Sequence, residues 1–457
     1  MSETPSSEED AASRAAPDEA PPRRAIVCGA SMSGLLAARA LSDHFPKVTI
    51  IERDALPDEA ASRRGVPQGE HIHVLLARGG QVLDELFPGL VDELTGQGVP
   101  LADMMTQTRF VFSGHEFARG NCESQLIQAS RPLLEHTVRS RVSQLPGVEI
   151  VDRCEATGLI VSDGAVVGAK ITHLGDEPRE ESLDAELVVD AMGRSGRMKT
   201  WLTELGYDAP AEDRVKCDVT YVSRTFRMPA DALGPDRFVF VGAEAERPSL
   251  FGIVNVEGDR WMATNAGMAG IRPPSDEAGW LAFVETMPIP DVAKALADAE
   301  PLNDFVTHRF PASTWRRYDR LGRLPAGLLA FGDAICSFNP VYGQGMTVAS
   351  LEAQALRECL GKGTTDLPRR FFKSAAKVIG APWQLAGGGD LAIPAIEGDR
   401  PLPVRLINRY VARIHAACAA HPKIAATFIR VAGFLDAPSA IFSPGFMARV
   451  LSTPRRK

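Results

Sequence analysis

The sequence has no C-x-x-C pair. Its seven cysteines stand apart at positions 28, 122, 154, 217, 336, 359 and 418, and their number is odd. A disulfide framework is not expected; small buried thiols in a reducing cytoplasm are. No apolar run reaches the ~18 residues of a spanning helix, so no stable membrane insertion is expected. Residues 1–22 lack the apolar stretch of a secretory signal. They are rich in Ser, Glu, Asp, Ala and Pro and are expected to be a disordered tail. There is no P-loop, no G-x-S-x-G nucleophile elbow and no internal repeat. Positive charge is not in excess either: the net charge is -8, which excludes nucleic acid as an expected partner.

What remains is an ordinary globular composition, 45% apolar and 24% charged over 457 residues. That length suits two to three domains with a sizeable core. Ala25–Cys28 and Lys47–Glu52 read as buried parallel strands flanking a helix over Leu35–His44, the start of a βαβ unit. A helix is predicted over Gln81–Leu94 and another from Ser130 to about Leu145, capped by Ser130 with Pro132 in the first turn. Val148–Leu174 alternates and is broken by Ser162-Asp163-Gly164, a hairpin signal. Leu187–Asp190 is a further short strand. Thr220–Phe226, Arg237–Val241, Leu250–Val256 and Arg260–Asn265 predict an antiparallel sheet. Gly345–Cys359 and the last 80 or so residues read as helical.

Two glycine segments carry the chemistry. The first is Gly29-Ala30-Ser31-Met32-Ser33-Gly34, a turn between a strand and a helix. In a G-x-G-x-x-G turn the glycines permit the tight turn, the approach of a pyrophosphate and close helix–strand packing. The helix N-terminus then offers free N–H groups and a positive dipole end. Ser31 replaces the middle glycine, which is tolerable only if its φ is negative. Glu52 ends the second strand. An acid there binds ribose hydroxyls and repels a 2′-phosphate, favouring FAD or NAD over NADP. Arg53 follows it and can stack near an adenine.

The second segment is Leu328-Leu-Ala-Phe-Gly332-Asp333-Ala334-Ile-Cys-Ser-Phe-Asn339-Pro340-Val-Tyr-Gly343-Gln344-Gly345-Met346-Thr347. A strand ends in Gly-Asp, a loop with proline and glycines follows, and a helix begins. Asp333 can accept a hydrogen bond from a ribityl hydroxyl. The loop glycines Gly343 and Gly345 allow close approach to a flat ring, and the helix start at Gly345–Thr347 can stabilise negative charge on it.

This segment resembles the GD motif of flavin monooxygenases of the para-hydroxybenzoate hydroxylase type. The fuller string G-D-A-x-x-x-F-N-P-V-Y-G-x-G-M is similar to that of actinomycete flavin epoxidases of polyether biosynthesis, relatives of squalene epoxidase. Arg63-Arg-Gly-Val-Pro-Gln68 with His71-Ile-His73, Leu86-Phe-Pro-Gly-Leu90 and Leu187-Val-Val-Asp190-Ala-Met-Gly193-Arg194 agree with it. The resemblance implies an α/β fold. A Rossmann-type (GR2-like) FAD-binding domain would occupy 23–198 and 325–380, an antiparallel-sheet substrate domain 199–324, and a helical region 381–457.

It also implies FAD, dioxygen as co-substrate and transfer of one oxygen atom through a flavin C4a-hydroperoxide to a small apolar organic substrate. Epoxidation of a polyketide or terpenoid alkene is the expectation; hydroxylation of an aromatic or quinone ring is the alternative. An isoprenoid reductase and a non-catalytic flavin protein are the remaining readings, and the lack of a W-x-W-x-I string speaks against a halogenase. Arg131 is expected at the FAD phosphates, and Arg63 among the FAD-binding residues. Gln68 and His73 are expected to line the flavin or substrate pocket; no metal site is expected. The hydroxylases' adjacent Asp-Gly is missing, since Met192 precedes Gly193 and the nearest acid is Asp190. Electrons are thus expected from NAD(P)H directly or through a separate flavin reductase. The C-terminal helices are expected to pack over the substrate domain.

Overall fold

In the computed structural model, residues 23–454 are described; the expectation for residues 1–22 lies outside them. Five parallel strands form the first sheet, in the order Leu328–Ala330, Leu187–Asp190, Arg24–Cys28, Lys47–Ile51, Val148–Val151. Nearly every residue of the three central strands is buried, as a sheet covered on both faces requires. Helix α1 (Met32–Ser42) follows the first strand. The turn between them has Gly29 at φ +106. Ser31 has φ -82 and ψ 179, extended backbone that any residue adopts, so serine is accommodated in place of the middle glycine.

The single helix expected over Gln81–Leu94 is two helices, α2 (Ala77–Leu86) and α3 (Leu90–Gly96). Phe87-Pro88-Gly89 separates them. Pro88 has no N–H to continue α2, and Gly89 takes a left-handed φ of +80. Helix α4 (Arg131–Ser143) starts as expected, the Leu133 N–H reaching the Ser130 hydroxyl. The hairpin turn places Asp163 at φ +49 and Gly164 at φ +76, two left-handed positions in a row. The hairpin gains a third strand, Arg179–Asp184, which its polar sequence did not signal.

The substrate-side sheet has eight strands. Its centre is Val219–Arg227, Arg260–Gly267, Ser249–Val256 and Phe238–Val241, antiparallel neighbours. Thr108–Phe112 then joins Phe238–Val241 in parallel. The sheet therefore takes strands from before residue 199. Phe110 and Phe112 pack there against Phe238 and Phe240, their ring centroids 5.9 and 5.6 Å apart. After α5 (Met198–Glu204), the chain also forms α6 (Glu277–Glu285) and α7 (Pro290–Ala297), which the sequence reading did not include. They cover the back of the large sheet. Trp280 is buried there, donating its ring N–H to the Val222 carbonyl at 3.1 Å.

Helix α8 (Gly345–Leu360) packs on α1 behind the first sheet, and α9 (Leu367–Asp390) packs on α8. Helices α10 (Leu402–Cys418), α11 (Pro422–Ala432) and α12 (Pro444–Ser452) close the molecule. Ile414, Cys418, Ile424 and Ile429 join Phe117 and Val254 in one apolar cluster, so these helices do cover the substrate sheet. Among the described residues, no helix is long and apolar enough to cross a membrane and no group of His, Cys, Asp or Glu is placed to hold a metal. All seven cysteines are buried and unpaired.

The tightest approach in the turn from the first strand to α1 is at Gly34, on α1, where a Cβ would lie 1.7 Å from the Gly29 carbonyl oxygen. Gly34→Ala is expected to lower stability by an amount at the upper end of the ~1–3 kcal/mol of overpacked sites, read by denaturant unfolding. Tolerance of that alanine would mean the turn is not built as described.

Candidate functional site

The two sheets and the C-terminal helices enclose one large cavity of about 1490 Å³. That exceeds the roughly 300–1,000 Å³ of a single-ligand pocket. It has three regions: a charged end at α1, a glycine-lined middle at α8, and an aromatic end beneath α10 and α11.

At the charged end α1 starts without any side-chain cap, so its first N–H groups and its positive dipole end face the cavity. Gly29, Ser31, Met32 and Ser33 line this end; Ala30 and Gly34 lie behind it. Glu52 lines it too, and one carboxylate oxygen accepts the Ala30 N–H at 2.8 Å. Arg53 is an exposed neighbour on the rim. Arg131 donates to the Ser31 hydroxyl at 2.8 Å and to Glu135 at 2.9 Å. The serine that departs from the glycine pattern thus links α1 to α4. Arg63 donates to Glu135 at 2.9 Å and Asp54 at 3.1 Å and sits 3.2 Å from Glu52. Burial opposes charge on Glu135, yet Arg131 and Arg63 hold its carboxyl below the usual carboxylate range. One donor on each arginine, Arg131 Nε and Arg63 Nη2, is buried without a partner.

In the middle region Gly332 ends its strand at φ +63. A Cβ there would lie 2.3 Å from the Ser33 hydroxyl, so glycine is what lets the second motif rest on the start of α1. Asp333 follows and lines the cavity. Burial pushes its carboxyl up, against the pull of Arg194, Arg131 and Arg316. Pro340, Gly343, Gly345 and Met346 line the same wall. Helix α8 also begins without a side-chain cap, at Gln344. A Cβ on Gly345 would meet only Asp333 Oδ1, at 3.8 Å, so the space before it is open. Thr347 does not reach the cavity; it is wholly buried and points toward Gly79. Gly332 likewise lies behind the lining.

Three buried acids hold this wall. Asp190 accepts the N–H groups of Met192 and Met198 at 3.1 and 2.7 Å and does not line the cavity. Glu352, on α8, accepts the Gly332 N–H at 2.8 Å, and burial pushes its carboxyl up to about 8. Asp390, at the end of α9, accepts from Asn339 Nδ2 at 2.9 Å and from the Tyr342 hydroxyl at 3.0 Å; burial pushes it up to about 7. Sequence reasoning did not find Glu352 or Asp390. Each is a lone acid in an otherwise apolar helix stretch, and only the fold brings it to the loop.

At the aromatic end, Phe110, Phe112, Phe117, Phe238 and Phe240 line the wall. Gln68 and His73 also line the cavity, near its middle. His73 Nδ1 lies 3.0 Å from the His71 carbonyl, and burial lowers its pKa to about 4. His71 is the more engaged residue. Its Nδ1 is 2.7 Å from the Ser223 hydroxyl, which is 2.6 Å from Thr264, while its Nε2 has no partner. Burial lowers it to about 3, so both imidazoles are neutral near neutral pH.

An acid whose folded-state pKa is raised stabilises the fold fully only below its unfolded value. That contribution is lost as pH rises through the folded value. For Glu352 the window runs from 4.5 to about 8. Glu352→Gln, which keeps an acceptor for the Gly332 N–H, is expected to raise the melting temperature at pH above that window relative to the parent. Below it there should be no gain. Equal effects at both ends would mean the carboxyl is not buried as described.

The fold is that of FAD-binding monooxygenases and flavin-dependent halogenases. The flavin-dependent brominase Bmp2, solved as a triple mutant, superimposes with a TM-score of 0.67 at 16% identity, covering 93% of this chain and 98% of that one. The chain belongs to the same family as protein Rv3254 of Mycobacterium tuberculosis, to which it is 37% identical over 446 residues, 94% of each chain. It is also similar to kynurenine 3-monooxygenase of Salinispora tropica, 25% identical over 360 residues, 74% of this chain and 72% of that one. No family model matches the sequence.

Proposed function

We propose that the chain binds FAD along the charged and glycine-lined regions and uses it to place one oxygen atom from dioxygen on a small apolar substrate in the aromatic region. The observation that carries this is the single cavity with an anion-ready end and an aromatic end. Two uncapped helix N-termini, of α1 and α8, open into it. The residues fit the group: the unpartnered donors of Arg131 and Arg63 stand beside the α1 N-terminus, where a pyrophosphate needs them. Glu52 would take the ribose and Asp333 the ribityl chain, and Gly343 and Gly345 would leave room for the ring.

Reduced FAD supplies the activation of dioxygen. The protein's share is electrostatic and steric. The α8 N-terminus favours negative charge at the ring. The phenylalanine wall excludes water from the reacting centre. Neutral His71, held by Ser223, presents Nε2 as a hydrogen-bonding group without adding charge. Asp190 is committed to two backbone N–H groups, which leaves no free acid at the strand end for a nicotinamide. Electron supply through a separate reductase accords with that. Seven unpaired buried cysteines suit a cytoplasmic setting.

The phenylalanine-lined end of the cavity favours an apolar alkene, hence epoxidation of a polyketide or terpenoid. Hydroxylation of an aromatic ring is the second reading, favoured by the likeness to kynurenine 3-monooxygenase.

Two tests follow. Arg131→Met removes a charged donor at the phosphates and is expected to weaken FAD binding about tenfold or more, measured by titration of apoprotein. Unchanged affinity would remove Arg131 from the site. The purified protein, reduced without air and mixed with isotopically labelled dioxygen and candidate substrates, is expected to yield a product with one labelled oxygen. An epoxide supports the first reading and a phenol the second. Release of hydrogen peroxide alone from every substrate would overturn both.

A further inference from the structure

The aromatic end of the cavity holds a polar side chain among its phenylalanines. His415 lies near the C-terminus of α10 and lines the cavity. Its ring centroid is 5.2 Å from that of Phe112, 5.8 Å from Phe117 and 5.2 Å from Phe428. Phe112 and Phe117 flank a hairpin of the large sheet, and Phe428 comes from α11. On α10, Ile407, Val411 and His415 follow at i, i+4 and i+8, and all three line the cavity. Two of these positions are aliphatic, as an apolar wall requires; the third is an imidazole.

The fold fixes that ring. Ser113 and Gly114 take φ +51 and +69, the two left-handed positions of the tight turn between Thr108–Phe112 and His115–Glu116. The turn brings Ser113 to α10, its hydroxyl 3.0 Å from His415 Nδ1. The Ala118 N–H donates to the Cys418 carbonyl at 2.9 Å and holds the end of α10 beside Phe117. Nδ1 is thus engaged, while Nε2 has no hydrogen-bond partner among the described residues. Burial lowers the ring's pKa to about 4, so it is neutral near neutral pH. A neutral imidazole has one donor and one acceptor. The hydroxyl at Nδ1 serves either, so Nε2 stays free in either role. A leucine or phenylalanine would fill the same place without desolvating a polar atom.

We infer that His415 reads a neutral oxygen function, a hydroxyl or a carbonyl, on the end of the substrate held among Phe112, Phe117 and Phe428. The rings take the apolar part of that end, and Nε2 takes its oxygen. A carboxylate is a poorer occupant, because the neutral ring brings no charge to offset its desolvation. A bare hydrocarbon is poorer too, because it leaves the nitrogen unpaired. A pocket built to hydrogen-bond an oxygen rejects the analogue that lacks it. That the ligand is a substrate rests on the function proposed above; the subsite itself does not. Within that function, an oxygen-bearing polyketide or a phenol satisfies His415, and an unoxygenated terpene does not.

The test is equilibrium dialysis of the full, FAD-loaded protein against 2-naphthol, 2-acetylnaphthalene and naphthalene, which share one ring system and differ in the oxygen. The parent is expected to hold the first two about tenfold more tightly than the third. His415→Phe and His415→Leu, which keep an apolar group in the cage, should each weaken both oxygen-bearing probes about tenfold and leave naphthalene bound as before. Retained naphthalene binding shows that the cage of a variant is intact. Oxygen-bearing probes held by the parent no better than naphthalene, or the same preference in the parent and in either variant with an intact cage, overturn the inference. Because no turnover is read, a protein that shows the preference yet oxygenates nothing tells against the proposed function and not against this subsite. One that oxygenates substrates while showing no preference tells against the subsite alone.

Discussion

The contact of Gly332 with Ser33 is the constraint on which the site depends. It presses the end of one strand onto the first turn of α1, at a distance that no Cβ would allow. Because of it, the N-termini of α1 and α8 open on one cavity. Helix dipoles act only over the first turn, so each end serves the part of a ligand directly before it. Glu352 fastens the same point from behind, through the Gly332 N–H. The acid is buried in α8, where a charge would be costly, and it is its neutral form that the surroundings favour.

Around that contact two arginines meet three acids. Arg63 and Arg131 share Glu135, and Glu52 and Asp54 complete the group. A buried cluster of this kind contributes little net stability, because desolvation offsets attraction. Its worth is geometric. It fixes two guanidinium groups beside the start of α1 and leaves one nitrogen on each unpartnered. The cavity's other end obeys a different rule. There, phenylalanine rings keep the surroundings apolar, and polar groups such as Ser223 and Thr264 are tied to one another.

Much of the first sheet could be read from sequence, because parallel strands buried on both faces are short apolar runs closed by glycine. The two glycine motifs were legible for the same reason: backbone that must take positive φ or touch another backbone needs glycine. Ser31 looked like a defect in that pattern. Its negative φ and its hydroxyl between Arg131 and Glu135 explain it. What was not legible depends on distant contact. Glu352, Asp390 and His71 acquire meaning only from partners 20, 51 and 152 residues away. The crossing of Thr108–Phe112 into the far sheet was hidden likewise, since a strand's own sequence does not name its neighbour. The proline and glycine between α2 and α3 were local signals, and periodicity alone passed over them.

The order of strands in the first sheet has a consequence for how the chain is made. Arg24–Cys28 sits in the middle, yet one partner is Leu187–Asp190, and the edge strand Leu328–Ala330 comes some three hundred residues later. As the chain leaves the ribosome from its N-terminus, the first strand has only Lys47–Ile51 beside it. Its other flank stays unpaired while the whole hairpin region is synthesised. The strands of the large sheet are all made before the GD turn arrives to close the first one. Folding of such a chain is slow and its nascent forms are prone to wrong pairing. Production at low temperature or with chaperones would address that interval, which the finished structure no longer shows.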